Sequence, residues 1–203
     1  MEKILILPNF YIVRIILASL LILEVVVLLL GLLHLFQGKQ CKWIIRIVFG
    51  VYLMGNLYFT LLFREELPET LYELELFGAY RRSLQLDSGI LGTIKHLLKD
   101  GLSGGIQIES AMYLEGVTLN ILLYVPMGYL LPIVWPKLRV WHVILIGFLS
   151  SLLTETIQLV FRLGLFEVDD LVTNTFGTII GVALYLLLIR KGHGNNIVQD
   201  NIH

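Results

Sequence analysis

Apolar residues run through this chain in long stretches, with polar residues confined to short breaks and one mixed segment. Five stretches approach or exceed the ~20 apolar residues that a helix needs to cross a bilayer. They extend from about Ile12 to Phe36, Trp43 to Phe63, Val117 to Trp135, Val140 to Phe161 and Val168 to Ile189. The first follows Lys3 and carries Arg14 and Glu24. It is too long for a signal-peptide core and has no small-x-small cleavage site after it, so it reads as a retained span. The third contains Pro126, whose missing backbone donor is tolerated where neighbours satisfy the freed carbonyl. The pattern predicts an all-α, polytopic transmembrane helix bundle of about five spans, in one membrane domain over residues 1–203.

A long loop from Arg64 to Gly116 joins the second and third spans. It is mixed and acidic, with Glu65, Glu66, Glu69, Glu73, Glu75 and Asp87 set against Arg81, Arg82, Lys95 and Lys99. Within it, IKHLLKDGL places leucines at helical spacing beside lysines, which suits an interfacial helix and a solvated loop helix equally. GLSGG at 101–105 is a flexible break, and the tail over 191–203 is polar.

Composition narrows the class further. The chain is 57% apolar and 15% charged, with a mean hydropathy of +0.81. A soluble domain of this length could not cover so much apolar surface. The net charge of −1 gives no reason to expect nucleic acid as a partner. Cys41 is the only cysteine, so no internal disulfide forms.

Lys and Arg near span ends set the orientation. Lys39, Lys42 and Arg46, then Lys137 and Arg139, then Arg190 and Lys191 all fall on one side of a five-span chain. That side is expected to be cytoplasmic. The N-terminus, the long loop and the turn at Arg162 are then extracytoplasmic, which gives an N-out, C-in protein.

This arrangement brings polar residues to one depth. Asn120 lies near the outer end of the third span, Glu155 and Gln158 in the last turns of the fourth, and Asp169, Asp170 and Asn174 in the first turns of the fifth. At ~1.5 Å rise per residue, all six fall within about 10 Å of the same face. On the fourth span Ser151, Glu155, Gln158 and Arg162 form one stripe. On the fifth, Asp170, Asn174, Gly177 and Gly181 do the same, ending in a GxxxG surface that admits a close neighbour. Asp169 points about 100° away from Asp170 and suits a helix-start cap. Glu155 could pair with Arg162 or Gln158, and Asn56 suits an interhelical hydrogen bond. Arg64 either snorkels to head groups or complements the carboxylates.

The runs LNILLYVPMGYLLPIVWPKLR, SSLLTETIQL and FEVDDLVTNTFGTIIG carry a resemblance. Asn120 with Pro126 and Gly128, Glu155 with Gln158, and Asp169–Asp170 with Asn174 and Gly177 together resemble the VanZ-like family of bacterial membrane proteins, over residues 45–190. ELELFGAYRRSL at 73–84 looks like a degraded form of the family's loop motif, with Gly78 and Ala79 around the expected proline. The named member is associated with low-level resistance to the glycopeptide teicoplanin. The resemblance therefore implies a cell-envelope role in the bacterial cytoplasmic membrane. Its implied partners are membrane lipids together with cell-wall precursors, lipid-linked precursors or a glycopeptide.

Three functions follow as expectations. The first is a non-enzymatic protein that alters envelope access or glycopeptide binding. The second is an intramembrane enzyme on lipid-linked or head-group substrates, with Glu155 or Asp170 as general acid or base. In either, Asn120, Gln158, Asn174, Asp169 and Arg64 are the candidate binding residues. No cofactor is expected, the one alternative being a hard cation such as Mg²⁺ held by Asp169, Asp170 and Glu155. The third, an ion-coupled transporter using Glu155, is weakened by the lack of an inverted repeat.

Overall fold

The computed structural model describes residues 39–62, 66–78, 81, 89–103 and 108–199. The first expected span, with Arg14 and Glu24, and the candidate Arg64 lie outside them. Helix α1 (Lys39–Leu57) ends in a π-helical turn, Tyr58–Leu62. After it come β1 (Leu71–Glu73), α2 (Gly89–Ser103) and α3 (Ile108–Val134). The chain closes with α4 (Val140–Phe161), β2 (Leu165–Glu167) and α5 (Val168–Gln199), which runs on past the expected span end at Ile189.

Among the described residues, four helices are long and apolar enough to cross a membrane: Trp43–Leu61, Tyr113–Val134, Val140–Phe161 and Val168–Leu187. These match the second to fifth expected spans, and the chain is a multi-pass membrane protein. The third is central. It is 56% buried inside the bundle, against 28–33% for the others. The remaining helices turn large apolar side chains outward, as Trp43, Ile47, Val51 and Met54 do along α1. Outside water, such a stripe is the face that meets lipid.

The core lies where α1, α4 and α5 surround α3. Ile45, Phe49 and Tyr52 pack with Tyr124, Met127, Leu130, Leu131, Val134, Val143 and Val182. Phe49 also meets Trp135 edge-on, with centroids 5.7 Å apart. Tyr52 donates its hydroxyl to the Leu123 carbonyl at 2.8 Å, beside the Leu122 carbonyl that Pro126 deprives of its helical donor. Asn56, on the same face, donates to the Tyr52 hydroxyl at 3.2 Å. Its link to α3 is thus relayed through Tyr52 rather than direct.

Helices α3 and α5 share the most extensive interface. They approach backbone to backbone. A Cβ on Gly128 would collide with the Thr178 carbonyl, one on Gly177 with the Ile121 carbonyl, and one on Gly181 with the Val125 carbonyl. The stripe Gly177–Gly181 thus meets Gly128 across the interface, with no side chain between. On α4, Gly147 makes room for the Thr178 side chain, which a Cβ there would strike.

The long loop is not all irregular. Its segment 71–73 pairs in parallel with the turn between α4 and α5, Leu71 opposite Leu165 and Glu73 opposite Glu167. A parallel pair needs a long crossover, here supplied by α2, α3 and α4. Helix α2 covers the expected IKHLLKDGL helix. It buries Thr93 on one side and exposes Leu91 and Leu98 on the other.

Gly181→Val is expected to lower the thermal midpoint in detergent, since added volume in a tight contact costs about 1–3 kcal/mol and a chain of this size loses about 2–4 °C per kcal/mol. Ala183→Val, on the exposed face of the same helix, should leave the midpoint unchanged and serves as the control.

Candidate functional site

Three helix ends and the loop meet on one side of the bundle. Helix α3 starts there, α4 ends there, and β2 turns the chain directly into α5. Helix α4 stops with Arg162 in the left-handed region, φ 56°. The Leu163 N–H then returns to the Gln158 carbonyl at 2.8 Å, an end that satisfies the last free carbonyls. The Arg162 carbonyl accepts from the Leu67 N–H at 2.7 Å, which ties the loop to this turn.

Each candidate residue finds a partner drawn from a different element. Asn120 of α3 donates to Asp170 of α5 at 2.6 Å. Glu155, only 2% exposed, accepts from the Glu167 backbone N–H at 3.1 Å. The Glu155 carboxylate thus has a strand amide among its partners. Gln158 reaches α1, donating to the Thr60 carbonyl at 2.8 Å. That carbonyl lies in the π turn, where the widened ring leaves backbone groups for outside partners. Asn174 donates to Ser151 of α4 at 2.9 Å. Asn120, Glu155, Gln158, Asp169, Asp170 and Asn174 thus all lie at this end of the bundle.

Asp169 departs from the helix-start cap suggested by its position. Its carboxylate accepts the Phe77 N–H at 2.8 and 3.1 Å and the Tyr113 hydroxyl at 2.9 Å. The side chain is buried, at 5% exposure. It therefore anchors the loop to α5 and to the first turns of α3. Helix position still helps, because a carboxylate in a first turn is favoured by the helix dipole. The loop is shaped for this contact. Phe77 has a φ of 60°, an uncommon state for a bulky residue that marks a constrained position. Its ring leans edge-on to Tyr113, centroids 6.4 Å apart. Gly78 turns the chain tightly, its N–H bonding the Glu75 carbonyl at 2.9 Å. A Cβ there would strike the Glu73 carboxylate, which folds back to accept the Glu75 N–H at 3.1 Å. The departure from the family's loop pattern at Gly78 thus coincides with a docked loop, an arrangement the sequence left open.

Asp169, Asp170 and Glu155 face Phe77 and Tyr113, Asn120, and Glu167 respectively. Among the described residues, no three His, Cys, Asp or Glu side chains converge as a metal's ligands would. What the arrangement offers chemically is a set of buried carboxylates and carboxamides at the end of a lipid-facing bundle. Burial of such groups in a membrane is costly and usually serves a partner or a reaction.

Several members of this network escaped the sequence reading. Tyr113 and Tyr124 share a helical face with Asn120 and Gly128, at offsets 0, 7, 11 and 15. That periodicity was available, but starting the span at Val117 cut Tyr113 off. Thr60, Phe77 and Glu167 contribute backbone groups, for which side-chain pattern gives no signal.

A family model described as VanZ/LLP1 matches residues 49–189, most of the chain, and the protein belongs to this family. No curated protein and no solved structure matches it.

Asp169→Ala should free the loop. Hydrogen bonds to a charged acceptor are worth about 1.5–3 kcal/mol, so a lower thermal midpoint and faster cleavage by a glutamate-specific protease at Glu73 or Glu75 are expected. Tyr113→Phe should give a smaller effect of the same sign. Unchanged cleavage in both variants would show that Asp169 does not hold the loop.

Proposed function

We propose that this VanZ/LLP1 family member acts at the outer face of the bacterial cytoplasmic membrane and lowers susceptibility to glycopeptides such as teicoplanin. Asn120, Glu155, Gln158, Asp169, Asp170 and Asn174 supply the polar site through which it meets cell-wall or lipid-linked material. The observation that carries this reading is the convergence of Asn120 with Asp170, Glu155 with Glu167, and Gln158 with Thr60 at one end of a lipid-facing bundle. Charge supports the side. Lys137 and Arg139 lie in the turn at the opposite end, where the positive-inside rule places the cytoplasm. Hydrogen-bond donors and acceptors arranged around a neutral or sugar-bearing ligand suit recognition without any covalent step. Arg64 is retained as a candidate binding residue.

A second reading, an intramembrane enzyme on a lipid-linked or head-group substrate, draws on the burial of Glu155 at 2% exposure. Glu155 or Asp170 would serve as general acid or base there, the roles a positioned carboxyl group can take.

Glu155→Gln, Asp170→Asn and Asn174→Ala, expressed singly in a susceptible host, should each abolish the protection against teicoplanin that the wild type confers while membrane abundance stays comparable. Full protection by all three at equal abundance would remove the site from the mechanism. Conversion of a lipid-linked precursor by purified wild type, lost in Glu155→Gln, would favour the enzyme.

A further inference from the structure

A second polar layer lies one helical turn further into the bundle than the Asn120–Asp170 pair. Its centre is Ser151 of α4, fully buried, whose Oγ accepts from Asn174 Nδ2 at 2.9 Å. The other end of that carboxamide, Asn174 Oδ1, is buried and has no hydrogen-bond partner among the described residues. The Tyr124 hydroxyl, on a residue 1% exposed, has none among them either. The hydroxyls of Ser150, Ser151 and Thr154 stand around it, but none closes a bond of good geometry. Both unpartnered groups therefore border Ser151.

An unmade hydrogen bond on a buried group costs about 1–3 kcal/mol. Buried polar atoms are nearly always satisfied by protein or by ordered water. Reversal of the carboxamide leaves the same deficit. With oxygen and nitrogen exchanged, Ser151 would donate to Asn174 and the outer nitrogen would be left over instead. One end of Asn174 lacks a protein partner in either case. The two groups together ask for a small neutral species that donates to Asn174 and also bonds a phenol, which can donate or accept. A layer of hydroxyls and one carboxamide has the polarity that keeps such a species in place.

We infer that Tyr124, Ser151 and Asn174 hold a buried water molecule that bridges the Tyr124 hydroxyl and Asn174 Oδ1. Tyr124 is then a positioning residue. Through the water it fixes Asn174 and Ser151, one turn along α4 from Glu155, and so sets the floor beneath the polar end of the bundle. The inference does not depend on what the outer site binds.

Radiolytic hydroxyl labelling of the full-length protein in detergent tests this directly, because radicals formed from a held water oxidise the side chain beside it even where bulk solvent cannot reach. The Tyr124 ring should be oxidised several-fold faster than that of Tyr52. Tyr52 is equally buried, but its hydroxyl is engaged by Leu123 and Asn56. Asn174→Leu should bring Tyr124 down to the Tyr52 rate. Equal rates in the wild type would overturn the inference, and that comparison stands even if Asn174→Leu fails to fold. Fast labelling of Tyr124 that persists in a folded Asn174→Leu protein would overturn the bridge.

Discussion

Everything at the polar end depends on how closely α3 and α5 approach. In lipid there is no hydrophobic drive to bring two apolar helices together, so close packing and interhelical hydrogen bonds must do it. Gly128 on α3 and Gly177 and Gly181 on α5 let carbonyls of each helix lie where side chains would otherwise stand. That contact fixes the depth of one helix against the other. About two to three turns away, Asn120 and Asp170 then meet at 2.6 Å. Thr178, fully buried between α5 and Gly147, extends the same register to α4. The glycine stripe is thus the foundation of the site as well as of the bundle.

The polar end solves the problem of carboxylates in a membrane protein with donors from several elements. Glu155 takes an amide from β2, Asp169 an amide and a phenol from the loop and α3, and Asp170 a carboxamide from α3. Each of these bonds is also a tether, so the groups that would be costly to bury are the ones that join the loop, the strand pair and the helices. The strained Phe77 fits this pattern, its backbone conformation being held by the contact it makes with Asp169. A ligand that reached this end from the loop side would compete with internal bonds, and recognition would then be coupled to movement of residues 66–78.

The second to fifth spans were legible because hydropathy over about 20 residues is a strong signal. The side-chain stripes on α4 and α5 were legible because helix periodicity fixes which residues share a face. The GxxxG stripe was legible for the same reason, although its partner Gly128 was not. Pairing between helices depends on rotation about their axes, which one chain's pattern leaves free. The loop was opaque. Its strand pairs with a turn more than ninety residues away, and β1 is three residues long, too short to show alternation. Asp169 illustrates the limit most sharply. A carboxylate at a helix start has a sufficient local explanation in capping, so nothing in its neighbourhood signalled that Phe77 and Tyr113 would take both oxygens. Gln158 likewise found its acceptor in a backbone carbonyl exposed by a π turn.

The central claim is that the glycine contact between α3 and α5 sets the register of the polar end. Disulfide trapping between Asn120→Cys and Asp170→Cys in native membranes, with Cys41→Ser as background, reads that register directly, because a bridge forms only when the two Cα atoms lie within about 7 Å. The account predicts an efficient intrachain cross-link under mild oxidation and its loss when Gly128→Val is added. No cross-link in the glycine-intact protein, or equal cross-linking with Gly128→Val, would contradict it.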